Sequence, residues 1–262
     1  MIELGHVDGG QGFDFGRTAN DYGRYRDIYP ASFYETLLGF GIGTPSQRIL
    51  DLGTGTGVIP RNMARHGAAW IGADISPDQV SAARALSQDR GLDIEYIVCP
   101  ADKVPLADRS VDGVTACQCF WYFDIETTIP EVHRLLRPGG RFAILSMVGL
   151  PRGSEILAKS EELVLKFNPT WSSADFDRRR LEPPDWLGSL FSVIALHDYV
   201  EDFPFTRESW CGRMRTCRGV GASLPPEMVE AYDREHYQAL CEIADEAFTI
   251  PHQLIFQVYQ RI

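Results

Sequence analysis

The chain has 262 residues, 44% of them hydrophobic and 23% charged, enough to bury a sizeable core in one domain with appendages. That composition argues against disorder, the lack of an apolar run of about 18 residues argues against a membrane span, and the formal net charge of -11 argues against a nucleic-acid partner. Six cysteines (Cys99, Cys117, Cys119, Cys211, Cys217, Cys241) form no Cys-x-x-Cys pair, and the opening MIELGHVDGGQGFDFGRT has no basic segment followed by an apolar one. Reduced thiols, no metal centre and a cytoplasmic location are the expectations.

In chain order, FDFGRTANDYGRYRDIYP at 13–30 predicts a helix from near Thr18 on which Tyr22, Tyr25 and Arg26 share a face. That face either packs its tyrosines on the body or lids a ligand site. Ala31 to Phe40 continues as a second helix, ended by GFGIGTPS. The next stretch, RILDLGTGTG at 48–57, reads as a buried strand (Ile49, Leu50, Leu52) running into a glycine-rich turn, with a helix from Val58 to roughly His66. Gly53, Gly55 and Gly57 remove side chains where backbone passes close to a ligand, as in a nucleotide-type site. A dinucleotide fingerprint needs a third glycine where Val58 stands, and Asp51 would repel a pyrophosphate while welcoming an ammonium or sulfonium.

Ala69 to Ala73 is a second strand closed by Asp74, 23 positions beyond Asp51, near the spacing at which an acid meets ribose hydroxyls. Ser76-Pro77-Asp78-Gln79 then gives a helix start with a Ser-x-x-Gln capping box, so Gln79 has a structural reading. Ile94 to Val98 is the third strand and Val111 to Cys117 the fourth, which runs into CQCFWYFD; Ile125, Ile129, Val132 and Leu136 follow at helical spacing. EVHRLLRPGGRFAIL supplies a helix, a turn and the fifth strand, with His133 read as a helix residue rather than a base. Beyond Met147 come an amphipathic helix (Ile156, Leu157, Val164, Phe167), an irregular cap, a sixth strand over Phe191 to His197, a helix from about Pro226 to Ala247 and a last strand over Gln253 to Ile262. Arginines concentrate at 178–180 and at Arg207, Arg213, Arg215 and Arg218; the second group is either an anion clamp or a solvated face.

DLGTGTG resembles motif I of the class I S-adenosylmethionine (AdoMet)-dependent methyltransferases, and with Asp74, Asp102 and LLRPGG the resemblance covers about Arg48 to Met147. Within the family it looks closest to the small-molecule group of trans-aconitate and ubiquinone-biosynthesis methyltransferases. The resemblance implies cofactor contacts from Tyr25, Asp51, Gly53, Thr54, Gly55, Gly57, Asp74, Ile75, Gln79, Ala101, Asp102, Lys103, Gln118 and Phe120. Asp74 would hold the ribose and Asp102 the adenine amine, while Gln118 and Phe120 would border the methionine part. Tyr22, Trp121, Tyr122 and Arg213 are the substrate candidates, although a helix staple explains the aromatics at 120–123 about as well.

The order of elements gives an α/β, doubly wound Rossmann-like seven-stranded sheet with a helical N-terminal cap and insertions before and after strand 6. The expected segments are a cap over 1–44, the AdoMet core over 45–150, a cap insertion over 151–190, and C-terminal strands over 191–262 interrupted by helices at about 206–248. The implied activity is methyl transfer to a small-molecule O, N, S or C nucleophile, leaving S-adenosylhomocysteine, with no catalytic base required, no nucleic acid or membrane involved, and the chain a monomer or homodimer. A non-catalytic AdoMet-binding protein and a nicotinamide-dependent oxidoreductase are the alternatives.

Overall fold

The computed structural model describes residues 2–178 and 180–262; Arg179, in the basic run 178–180, lies outside the described residues. Two compact units are formed, one from 29–147, 180–199 and 254–262, the other from 2–28, 148–178 and 200–253. These divisions fall elsewhere than the expected segments. The second helix, α2 (Ala31–Gly39), belongs with the sheet because Phe33 packs on Phe256 at 5.0 Å and on Tyr29 at 4.6 Å.

Seven strands form one sheet: β1 (Arg48–Leu52), β2 (Ala69–Asp74), β3 (Glu95–Val98), β4 (Val111–Cys117), β5 (Leu136–Gly149), β6 (Phe191–Thr206) and β7 (Ala247–Arg261), in the hydrogen-bonded order β3-β2-β1-β4-β5-β7-β6. β1 pairs in parallel with β2 and β4, β2 with β3, and β4 with β5. Ile49, Leu50 and Leu52 are fully buried, as expected of a strand covered on both faces. Leu50 and Leu52 join a core with Ile71, Val114, Phe142 and Tyr259.

Helices α3 (Val58–Met63), α4 (Pro77–Asp89) and α5 (Ile125–Leu135) follow β1, β2 and β4. The expected alternation of strand and helix breaks between β3 and β4, where 99–110 makes turns instead. α5 holds this segment through side chains: Glu131 accepts from the Val104 amide at 2.9 Å, and Arg134 donates to the Leu106 and Val104 carbonyls and to Asp108. The backbone groups that a helix would have satisfied are thus met from outside.

Three boundaries differ from expectation. β5 begins before the Pro-Gly-Gly turn, which is accommodated as a bulge: Val111 faces Leu136 but Gly113 faces Arg141. β6 runs on to Thr206, with Phe203 and Phe205 buried, and β7 starts at Ala247, ahead of Pro251. Both extensions carry a proline, Pro204 in β6 and Pro251 in β7.

The other unit contains α1 (Ala19–Tyr25), α6 (Glu155–Phe167), α7 (Arg207–Arg215) and α8 (Pro226–Ile243), the last ending four residues before the expected Ala247. Ser154 caps α6, and Thr206 with Ser209 makes a full capping box on α7. The N-terminal segment is fixed by a buried ion pair: Arg218 Nε donates to Asp8 Oδ2 at 2.6 Å and Nη2 to Oδ1 at 2.8 Å, with Ser172 and Ser173 completing the network. Burial alone would push the Asp8 carboxyl up, but Arg218 and Ser172 hold it below the usual carboxylate value. Removing one partner leaves a buried charge uncompensated. Asp8→Ala is expected to lower stability by about 3–5 kcal/mol in urea titrations, and Asp8→Ala with Arg218→Met to recover most of that loss. Equal losses in the single and double variants would show that the charge is not desolvated.

Candidate functional site

β1 and β4 lie side by side although β2 and β3 intervene in the chain, so the strand order reverses between them. In such sheets the crevice beyond the carboxyl ends at that point is the binding position. β1 delivers the turn there, with Gly53, Gly55 and Gly57 at φ of 62°, 54° and 77°, the left-handed region that costs other residues energy. Gly53 is required on a second ground: a Cβ would lie 2.7 Å from the Cys119 sulfur and 3.2 Å from the Phe123 ring.

The turn is tied to the end of β2. The Thr54 amide donates to the Ala73 carbonyl at 3.0 Å, and the Gly55 amide to Asp74 Oδ2 at 2.8 Å. Asp74 Oδ1 accepts from the Ser76 amide at 2.9 Å, so the expected capping box is half replaced: Ser76 still caps Gln79 N at 3.4 Å, while its own amide goes to Asp74. The Cys99 amide donates to the Asp74 carbonyl at 3.0 Å, which brings the end of β3 alongside. Burial raises the Asp74 carboxyl, opposed by the amides of Ser76, Gly55 and Ile75. The Gly55 and Ser76 hydrogen bonds fall on different oxygens, which leaves acceptor capacity on the carboxylate.

Asp51 is 2% exposed, and its Oδ1 accepts from the Thr115 hydroxyl at 2.6 Å across the directly paired residues of β1 and β4. Burial pushes its carboxyl up to about 7; the Thr115 and Thr54 hydroxyls pull it down and Asp74 pushes it up. The thiols of β4's end are held protonated by burial and by Asp51: Cys117 donates to the Tyr29 hydroxyl at 3.3 Å and Cys119 to the Leu52 carbonyl at 3.1 Å. Gln118, between them, adopts a left-handed φ of 62°; its amide donates to Leu145 O at 2.9 Å and its side chain to Met147 O.

The ends of β1 to β4 therefore bring together Asp51, Gly53, Thr54, Gly55, Gly57, Asp74, Ile75 and Gln118. Ile75 is 56% exposed, whereas Gln79 is buried. Ala101 and Asp102 are half-buried in the turn after β3, and Lys103 is exposed. Phe120 turns into the core against Phe123 and Phe142, while Trp121 stays exposed beside Tyr122 with ring centroids 5.5 Å apart. Thr115, Cys119 and Phe123 shape the site without having been singled out for it. The available signal was a lone hydroxyl in the apolar second half of β4, opposite the acid of β1.

Tyr22, Tyr25 and Arg213 belong to the other unit. Tyr25 is buried, its hydroxyl 3.4 Å from Glu208 and its ring under Arg24 and Arg215; Tyr22 lies under Arg26. The arginine group is neither a solvated face nor a shared anion clamp. Arg207 binds Ala244 O and Glu246, Arg215 binds Asp21 and Asp233, Arg218 binds Asp8, and Arg213 is buried with Nη1 3.6 Å from the Cys217 sulfur. Among the described residues no group of three or more His, Cys, Asp or Glu is placed to hold a metal, and no helix is long and apolar enough to cross a membrane.

A family model described as a methyltransferase domain matches residues 50–144. A Mycobacterium tuberculosis H37Rv protein named an uncharacterized methyltransferase is 35% identical over 132 residues, 50% of this chain and 51% of that one. The demethylmenaquinone methyltransferase of Thermus thermophilus is 36% identical over 111 residues, 41% and 50% of the two chains. The chain thus spans about half the length of these relatives. In fold it is similar to the YcgJ protein of Bacillus subtilis (TM-score 0.54, 18% identity, covering 89% of this chain and 100% of that one). It is likewise similar to a candidate methyltransferase from Bacillus halodurans C-125 (TM-score 0.56, 18% identity, 88% and 99%).

The raised carboxyl of Asp51 makes a stability prediction for the ligand-free protein. A group that binds its proton more tightly when folded contributes stability that is present below the unfolded carboxyl value, about 4, and lost as pH rises through about 7. Asp51→Asn is expected to gain on the parent protein over that interval, by on the order of 4 kcal/mol in full. Urea midpoints of both proteins at about pH 5 and about pH 8 check this. A gap between the two proteins that does not change with pH would mean that Asp51 ionises normally.

Proposed function

We propose, from the methyltransferase domain that residues 50–144 of this chain carry, that the protein is an AdoMet-dependent methyltransferase acting on a small-molecule acceptor. The observation that carries the reading is the glycine turn clasped by Asp74, with Asp51 buried behind it. Hydroxyls and amides surround these carboxylates, so the crevice suits a ligand bearing vicinal hydroxyls and positive charge and disfavours a pyrophosphate.

The bound cofactor supplies an activated methyl on a sulfonium, transferred to the acceptor's nucleophile with S-adenosylhomocysteine as the leaving product. Asp74 accepts from the two ribose hydroxyls with the lone pairs that Gly55 and Ser76 leave open. Asp102 accepts from the adenine amine, with Ile75 as the apolar surface beside the base. Gln118, held at the end of β4, borders the methionine end, and Trp121 and Tyr122 wall the acceptor and exclude water. Alignment and desolvation suffice for this chemistry, contributing up to roughly 7–11 kcal/mol in favourable cases, and no side chain is assigned as a base.

A small acceptor is supported by the aromatic edge after β4 and by the name of the Thermus relative. The reaction is placed in the cytoplasm, a reading supported by six free thiols; no nucleic acid or membrane takes part, and the chain works as a monomer or homodimer.

Calorimetric titration tests the reading. S-adenosylhomocysteine is expected to bind with micromolar affinity, and Asp74→Asn and Asp74→Ala to weaken it by roughly tenfold or more as charge-assisted hydrogen bonds are lost. Failure of the folded protein to bind it, or binding of NADH in its place, would overturn the assignment.

A further inference from the structure

AdoMet and S-adenosylhomocysteine share the adenosine and the amino-acid end and differ by one methyl group and one positive charge. Contacts to the common parts therefore cannot separate substrate from product. A group that feels the positive charge can separate them, and one whose own protonation responds to the cation does so in a pH-dependent way.

Asp51 is built for that response. It is buried in the sheet, one residue before the end of β1, and its carboxyl accepts from the Thr115 hydroxyl rather than from a fixed cation. From β4 it meets Thr115, with the Cys117 and Cys119 thiols beyond; from the turn, Thr54; from β2, Asp74, whose charge opposes its own; and from β3, the Tyr96 hydroxyl. Arg61 of α3 is buried, gives a guanidinium hydrogen bond to the Thr56 carbonyl and acts electrostatically on the Tyr96 hydroxyl. In such surroundings one proton decides whether Asp51 adds a second negative charge to that of Asp74.

We propose that Asp51 is the residue by which this site distinguishes the sulfonium cofactor from its neutral thioether product, releasing its proton to solvent when the cation binds and keeping it when the product binds. This rests on the methyltransferase reading above. A free carboxyl at about 7 places the exchange near neutral pH. Loss of the methyl removes the charge that kept Asp51 ionised. The carboxylate then recovers its proton from solvent, and the product is held without the electrostatic attraction that held the cofactor.

The test is calorimetry of the full chain with AdoMet and, separately, with S-adenosylhomocysteine, between about pH 6 and about pH 8 and in two buffers of different ionisation enthalpy. AdoMet affinity is expected to rise roughly five- to tenfold over that range, with net proton release to the buffer, while the thioether changes by less than about twofold. Asp51→Asn is expected to abolish the difference while still binding the thioether. Thr115→Val, which removes the hydroxyl that favours the ionised form and leaves the carboxyl in place, should shift the AdoMet curve to higher pH. Parallel pH dependence of the two ligands, or a curve unmoved by Thr115→Val, would overturn the proposal with the methyltransferase reading intact. Failure to bind either ligand would overturn that reading and the proposal with it.

Discussion

One hydrogen bond joins the parts of this site into a unit: the Gly55 amide to the Asp74 carboxylate. It fastens a turn of left-handed glycines, with little conformational preference of its own, to the end of a fully paired strand. The other oxygen of the same carboxylate takes the Ser76 amide at the start of α4, and its backbone carbonyl takes the Cys99 amide after β3. The geometry of three strand ends thus passes through one residue. A carboxylate so placed is preorganised as an acceptor, because its side chain is already held before any ligand arrives.

The second carboxylate serves differently. Asp74 is anchored by amides and faces the crevice, whereas Asp51 is sealed into the sheet and answers to charge. Two acids of the same type, 23 positions apart in the chain, acquire different chemistry from burial and partners alone. Burying an acid costs the ligand-free protein stability, a cost that a cationic ligand offsets.

Much of this was legible in the chain because the signals are local. An apolar run ending in an acid, alternating glycines and a Ser-Pro helix start give β1, the turn and α4, since a parallel strand buried on both faces has to be uniformly apolar. The partners of these residues were not legible. Thr115 meets Asp51 only because β4 inserts beside β1, and Ser76 looks like half of a capping box until Asp74 takes its amide. Both long C-terminal strands run through a proline and past the bounds that the local pattern suggests, because tertiary pairing overrides a local breaker. The arginines misled in another way: their distant carboxylate partners, Asp8, Asp21 and Asp233, carry no sign in sequence of being reserved for them.

Gln118 holds a further consequence. Its backbone stands in a conformation that costs a non-glycine residue roughly 1–2 kcal/mol, at a position where glycine would relax without penalty. Glycine, however, would forfeit the amide side chain that reaches the Met147 carbonyl and pins the reversal after β4 to β5. The chain therefore trades local backbone comfort for a rigid corner, and sequence drift at this position is constrained from two sides: by the torsion, which favours the smallest residue, and by the hydrogen bond, which demands a long polar one.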